Sequence, residues 1–424
     1  TIAAPCGRAM ARSYAAHPAG MPPTLAAPDR DHDNGPVDLT ALTPPQLQAR
    51  RTMKWTTYPP DVLALWVAEM DYPTAEPVMA AIRAAVAAET FGYPMNPAAS
   101  GLPEAYAGWA LRRYGMTVDP ADVHVVADVM HGVRLALEYF TAPGDPVIIT
   151  TPVYMPFFDI VDLARRPQVH VPMATGPDGR AALDLDRIDA AFAAGARTLL
   201  LCSPYNPLGR AFSPAELAAL AEVVDRHGGR VVSDEIHAPL VHDDRPHVPY
   251  ASVSAAAAAH TLTVVAASKA WNLPGLKCAQ VLTSSPADRA TWAAIPVWDL
   301  VGVSTLGMEA STAAYRDGEP WLTEVLTQLA AHRETLRGRV AGWPGVRLGS
   351  TEATYLAWLD LTELGLTEEP AALLLREAKV ALSGGVPFHA PEHRFARLNY
   401  ATTPTILDAA LDRIEGALAR LSPP

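Results

Sequence analysis

TLTVVAASKAWNLPGLK, from Thr261 to Lys277, is the stretch on which the reading of this chain turns. Leu262–Val265 is an apolar, β-branched run and predicts a buried strand. It empties through Ala266, Ala267 and Ser268 into Lys269, with Trp271 and a Pro-Gly turn just beyond. The chain prefers arginine, so a lysine here is chemically informative: an amine can lose its proton and attack a carbonyl, which a guanidinium cannot. A lysine stem can also simply cover apolar surface. The weight therefore falls on what stands at the other strand ends.

Around this stretch the pattern repeats. Short apolar strands are predicted at 123–126, 146–150, 169–174, 198–202, 231–235 and 262–266, with helices at 132–140, 183–194 and 213–227. Continuous apolar strands alternating with amphipathic helices signal an α/β fold with a mostly parallel sheet covered on both faces. Ser213, Pro214 and Glu216 form a helix-start signature of cap, helix-compatible proline and capping-box acid. Upstream, helices are predicted over Pro73–Ala88 and Leu102–Tyr114, with the turn-bearing FGYP between them. Leu63, Leu65 and Val67 alternate as a strand would, ending at Glu69 and Asp71. LTPPQLQARR before it reads as a short helix. Beyond residue 303 the texture becomes α+β: one long helical stretch over Ser304–Val340, then strands and two further helices. The expected organisation is a flexible leader (1–35), an N-terminal part of a small lobe (36–75), a large lobe (76–302) and the rest of the small lobe (303–424). Met21 is an alternative natural start.

At 424 residues the chain is long for one core, which agrees with two lobes. A net charge of −12 without a basic stripe argues against nucleic acid as a partner. No apolar run is long enough to span a bilayer, and the first twenty residues make a poor signal peptide. Cys6, Cys202 and Cys278 are too widely spaced for a disulfide framework or a metal box, and the last two read as small core residues. These bounds point to the cytoplasm, with no membrane partner and no metal.

Ligands of open α/β sheets gather at the carboxyl ends of the strands. Past those ends stand Asn206, Asp234 with His237, Ser268-Lys269 and Tyr154, and a glycine-bearing helix start at His131-Gly132-Val133. A helix start offers free N–H groups to a phosphate. An amine, a carboxylate, an amide, an aromatic face and a phosphate cup together match the needs of pyridoxal phosphate.

Asn206 in NPLGR, Asp234 in SDEIH and Lys269 in SKAWNLPGLK resemble the signature of fold-type I pyridoxal-phosphate enzymes of the class I/II aminotransferase superfamily. More narrowly, RRTMKW, LWVAEMDYP, FGYP, TPVYMPF, SDEIHAPLV and RFARLNYAT resemble the MalY/PatB branch, the cystathionine β-lyase-like C–S lyases, from about Arg50 onward. The resemblance implies a fold-type I large domain with a mostly parallel sheet plus a smaller α+β domain. It implies Lys269 as the amine that joins the cofactor aldehyde and later moves the Cα proton, and Asp234 as partner of the ring nitrogen. Asn206, and with it His237, would serve the phenolic oxygen. Tyr154 would stack on the ring and protonate a leaving thiolate, and Ile236 would pack on the opposite face. Gly132 and Val133 would give backbone N–H groups to the phosphate, with Ser268 and Lys277 adding side chains. Tyr93 would reach the phosphate of a neighbouring subunit, implying a homodimer with shared active sites. Arg397 would clamp the carboxylate of a small amino-acid substrate, with Glu69 beside it.

Three departures stand out. The position three before the lysine is often a phosphate-binding serine and here is Ala266; the acid usually found as aspartate is Glu69; and GGVPFHAPEH (384–393) lacks the expected glycine-rich pattern near the substrate entrance. The leading expectation is β-elimination on an S-substituted L-cysteine, cystathionine or a bulkier conjugate, giving thiol, pyruvate and ammonia. The same constellation serves an aminotransferase. The unusual entrance and long leader would suit a specialised biosynthetic enzyme that decarboxylates or oxidatively deaminates an S-cysteine conjugate. A non-catalytic regulator is opposed by the retention of Lys269, Asp234 and Asn206 together.

Overall fold

The structure, a computed structural model, describes residues 38–93, 96–176, 179–243 and 245–421. The leader expected at 1–35 lies outside them. Among the described residues the main sheet has seven strands: β1 (Val123–Val126), β2 (Val147–Thr151), β3 (Gln168–Pro172), β4 (Thr198–Cys202), β5 (Arg230–Asp234), β6 (Thr261–Val265) and β7 (Ala279–Thr283). Their order is β1-β7-β6-β5-β4-β2-β3. β7 runs antiparallel to both of its neighbours, and the run β6-β5-β4-β2-β3 is parallel throughout. Every residue of β2, β4, β6 and β7 is buried, as expected where helices cover both faces.

β7 is the strand that the sequence reading missed. Its Gln280 and Thr283 interrupt the apolar pattern, yet both are buried, and Gln280 Oε1 accepts from the Tyr315 hydroxyl at 3.0 Å. A tertiary hydrogen bond satisfies a polar group that composition alone assigns to the surface. The capping box at Ser213 forms as expected, with Glu216 N–H donating to Ser213 Oγ at 3.2 Å and Ser213 N–H to Glu216 Oε2 at 2.8 Å.

The smaller sheet contains β8 (Arg347–Leu348), β9 (Leu356–Asp360), β10 (Ser383–Gly384) and β11 (Phe395–Asn399), in the order β8-β9-β11-β10. Two expectations need correction nearby. The single helix over 304–340 is two helices, Thr305–Asp317 and Glu319–Ala341. They part at Gly318, whose carbonyl accepts from Trp271 Nε1 at 2.9 Å; a Cβ there would lie 2.4 Å from that nitrogen. The strand expected over 63–67 is only Leu63–Ala64, paired in parallel with Val380–Ala381. Beyond it the chain is irregular. One apolar cluster fills the main sheet, and a second joins Leu47, Trp55 and Leu65 to Leu374, Leu398 and Ile414.

Candidate active site

Neighbouring parallel strands bring their carboxyl ends into register: Cys202 of β4 pairs with Asp234 of β5, which pairs with Val264 of β6. The turns leaving them carry Asn206, Asp234 itself, and Ser268 with Lys269. They open on a cavity of about 220 Å³ that is also lined by Asp128, Tyr154, Ile236, His237 and Lys277. The Lys269 loop is seated by Trp271, which is fully buried and meets Trp109 and Tyr315 edge-on at 5.1 and 5.5 Å. Each such ring pair contributes roughly 0.5–1.5 kcal/mol beyond burial.

Burial pushes Lys269 down to about 8, helped by the nearby Arg397 cation and opposed by Glu69 and Asp234. A substantial share of its amine is therefore neutral near physiological pH, as a nucleophile or base needs. Nζ donates to the Ala68 carbonyl at 2.8 Å. Burial pushes Asp234 up to about 7, with the Ile236 N–H on Oδ1 at 3.1 Å pulling the other way. His237 is pushed down to about 3 by burial and the positive charges of Lys269 and Arg397, so its ring is neutral. Burial raises Tyr154 to about 12, so its phenol keeps its proton.

Arg397 is buried and makes no ion pair among the described residues. Nη1 donates to Asn206 Oδ1 at 3.0 Å, and Nη2 to Trp66 O at 2.9 Å and Ser383 Oγ at 3.2 Å. Nε has no partner. A buried cation with an orphaned N–H and no counter-charge is prepared for an anion.

The phosphate end differs from expectation. The helix begins at Val129, capped by Asp128, three residues before Gly132. His131 N–H donates to Asp128 Oδ1 at 2.8 Å and Gly132 N–H to Asp128 O at 3.0 Å; Val133 lies a turn inside the helix. Neither the Gly132 nor the Val133 amide is available. Gly132 instead faces the sheet, where a Cβ would come within 2.9 Å of the Val264 and Val281 side chains. The first-turn residues on the cavity wall are Val129 and Met130. Lys277 pairs there with Asp128 at 2.8 Å. The readable signal was Asp128 itself, an N-cap residue before an apolar run.

Glu69 is also displaced from its expected place. It does not line the cavity; the wall is formed by its neighbour Ala68. Tyr93 is fully exposed in this chain. Cys202 and Cys278, expected in the core, are buried and also line the cavity, burial raising both thiols, Cys278 to about 11. They are unsuited to act as nucleophiles.

The segment Trp66–Asp71 closes the cavity from the other side, and distant side chains hold its carbonyls. Asn399 Nδ2 donates to Val67 O and Glu69 O, both at 2.7 Å. The Tyr355 hydroxyl reaches Ala68 O at 3.1 Å and Lys54 Nζ reaches Glu69 O at 2.9 Å. Asn272 bonds both N–H and C=O of Met70, at 2.8 and 2.9 Å. Beneath lies a buried ion pair, Lys54–Asp71 at 2.7 Å, with Trp55 Nε1 on the second carboxylate oxygen at 2.7 Å.

The residues present fit pyridoxal phosphate. Asp234 is a desolvated carboxylate that lacks a cationic partner in contact, which a protonated ring nitrogen provides. His237 Nδ1 is a buried nitrogen with no partner, and the helix start with Lys277, on the cavity wall, would hold the phosphate. The profile of the aminotransferase class I and II family matches residues 60–414. The chain belongs to that family and has its fold-type I, pyridoxal-phosphate-dependent architecture. It is 39% identical over 373 residues to a cystathionine beta-lyase of Corynebacterium glutamicum, covering 88% of this chain and 98% of that one. It is 32% identical over 363 residues to the cystathionine beta-lyase PatB of Bacillus subtilis, covering 85% and 93%. A crystal structure from Corynebacterium diphtheriae, assigned as a PLP-dependent beta-cystathionase, matches with a TM-score of 0.85 at 38% identity, covering 90% and 99%. The chain is a PLP-dependent carbon–sulfur lyase of the MalY/PatB branch.

Proposed function

We propose that the enzyme eliminates the β-substituent of an S-substituted L-cysteine, cystathionine or a bulkier conjugate, giving a thiol, pyruvate and ammonia. The observation that carries this reading is one cavity lined by Lys269, its amine partly neutral near physiological pH, and by a protonated Tyr154, with the uncompensated Arg397 hydrogen-bonded to Asn206 of that lining. When bound, pyridoxal phosphate supplies an aldehyde for the substrate amine and a ring that stores the electron pair left at Cα. Of the residues lining the cavity, Asp234 would hold the proton at the ring nitrogen, Asn206 and His237 would serve the phenolic oxygen, Ile236 and Tyr154 would pack against the ring, and Val129, Met130, Ser268 and Lys277 would hold the phosphate. Arg397 binds the substrate carboxylate, and Lys269 Nζ takes the Cα proton. As the Cβ–S bond breaks, the departing sulfur takes a proton from the Tyr154 hydroxyl. The three-carbon fragment is then released and hydrolysed to pyruvate and ammonia.

Incubation of the holoenzyme with L-cystathionine and with cysteine S-conjugates is expected to yield pyruvate and thiol in equal amounts. Absence of pyruvate from all of them overturns the reading. Transamination is the second reading, favoured by the family match; it predicts amino transfer to a 2-oxo acid without pyruvate release.

We also infer a cytoplasmic homodimer. Among the described residues no helix is long and apolar enough to cross a membrane, and Phe91, Tyr93, Val297 and Trp298 are exposed. If Tyr93 serves the partner's site, mixing Tyr93→Ala and Lys269→Ala chains regenerates one intact site per heterodimer. Mixtures without activity exclude the sharing. The pairing of 63–64 with 380–381 supports counting 36–75 with the C-terminal lobe.

A further inference from the structure

The divergent 384–393 segment has a place in the site that the reading above does not use. Phe388 is fully buried, and the Arg397 guanidinium lies over its ring at 4.8 Å from the centroid. One contact on the ring, one on its backbone and one at the next residue fix Phe388. Its edge meets Trp358 at 5.4 Å, and its carbonyl accepts from Val153 N–H at 3.1 Å, one residue before Tyr154. The next residue, His389, takes φ +59 and stacks on Phe158 at 3.7 Å. The dipeptide Phe388–His389 thus ties the substrate-carboxylate cation to the tyrosine loop.

A buried guanidinium needs support, and an acidic neighbour would supply it at the expense of the substrate, by occupying the N–H groups and cancelling the charge. An aromatic face attracts the cation through its quadrupole and neutralises nothing. We propose that Phe388 is the positioning and specificity-determining residue of the carboxylate site: its ring orients Arg397 and leaves the charge free for the α-carboxylate of an amino-acid substrate. This rests on the assignment of Arg397 as the carboxylate clamp.

The test uses the PLP-loaded enzyme and two probes, L-alanine and L-alaninamide, whose binding is followed through the cofactor's absorbance. Alanine has no β leaving group, so the result is independent of the elimination reaction. Wild type is expected to prefer alanine over the amide. Phe388→Leu and Phe388→Met keep an apolar filler without a ring; each is expected to lose about tenfold in alanine affinity, with amide affinity unchanged. Phe388→Tyr restores the face and the preference. If the Leu and Met variants keep the wild-type preference, or lose both probes equally, the proposal is overturned. A wild-type enzyme that does not distinguish the probes overturns instead the assignment of Arg397, and this proposal with it.

Discussion

The two walls of the cavity are built on opposite plans. One is a row of strand ends, where Asn206, Asp234 and Lys269 follow directly from the element that places them. The other, Trp66–Asp71, has almost no regular structure and is held through its carbonyls by side chains from 15 to more than 300 residues away. The first wall concentrates chemistry, and the second concentrates stability. Substitutions should separate the two.

The largest effect is expected on the first wall. Lys269→Ala should lower kcat by more than about a thousandfold, while the apoprotein remains folded, because a buried amine contributes little to its stability. Because folding lowers the Lys269 pKa from 10.5 to about 8, the unfolded chain binds more protons between those values. Wild-type apoprotein stability should therefore rise through that window and the variant should lack that component, as denaturant titration at several pH values will show.

On the second wall, Lys54→Met leaves the Asp71 carboxylate buried without its cation. A loss of roughly 3–5 kcal/mol in unfolding free energy is expected, with activity falling only as the folded population falls. An unchanged melting temperature would sink the distinction between the walls. Asp234→Asn should do the opposite to stability. Folding raises Asp234 from 3.8 to about 7, so the wild-type apoprotein loses stability as pH climbs through that range. The variant should be more stable than wild type above pH 7 by about 2–4 kcal/mol, converge with it below about pH 4, and be nearly inactive at both ends. Smallest is Tyr355→Phe, which removes one of the hydrogen bonds on Ala68 O. It should cost about 1 kcal/mol and a few-fold in kcat, measurable by paired melts and initial rates.

The same division explains what was legible in the sequence. Local signals placed β1, β4 and the Leu102–Tyr114 helix with their observed bounds, and strand-end logic delivered Asn206, Asp234, His237 and Lys269 to one cavity. Residues stabilised across the fold were not legible. β7 hid behind Gln280, whose partner Tyr315 lies 35 residues away. The strand expected to Val67 is paired only at Leu63–Ala64; Leu65 still exchanges backbone hydrogen bonds with Ala381 and Asn399, but side chains satisfy the carbonyls of Trp66 and Val67. Gly132 drew attention as a phosphate glycine, yet its lack of a Cβ serves close contact with Val264 and Val281.

The closing segment accepts the Lys269 hydrogen bond through the main-chain carbonyl of Ala68, and every residue type has that carbonyl. The side chain of Glu69 takes part in no hydrogen bond or ion pair among the described residues, while its carbonyl is held twice. Position 69 can therefore be varied while the lysine keeps its hydrogen-bond partner, with loss of the Glu69 charge lowering the Lys269 pKa further. For directed evolution toward new sulfur substituents, that makes it a place to diversify before any residue of the strand-end wall.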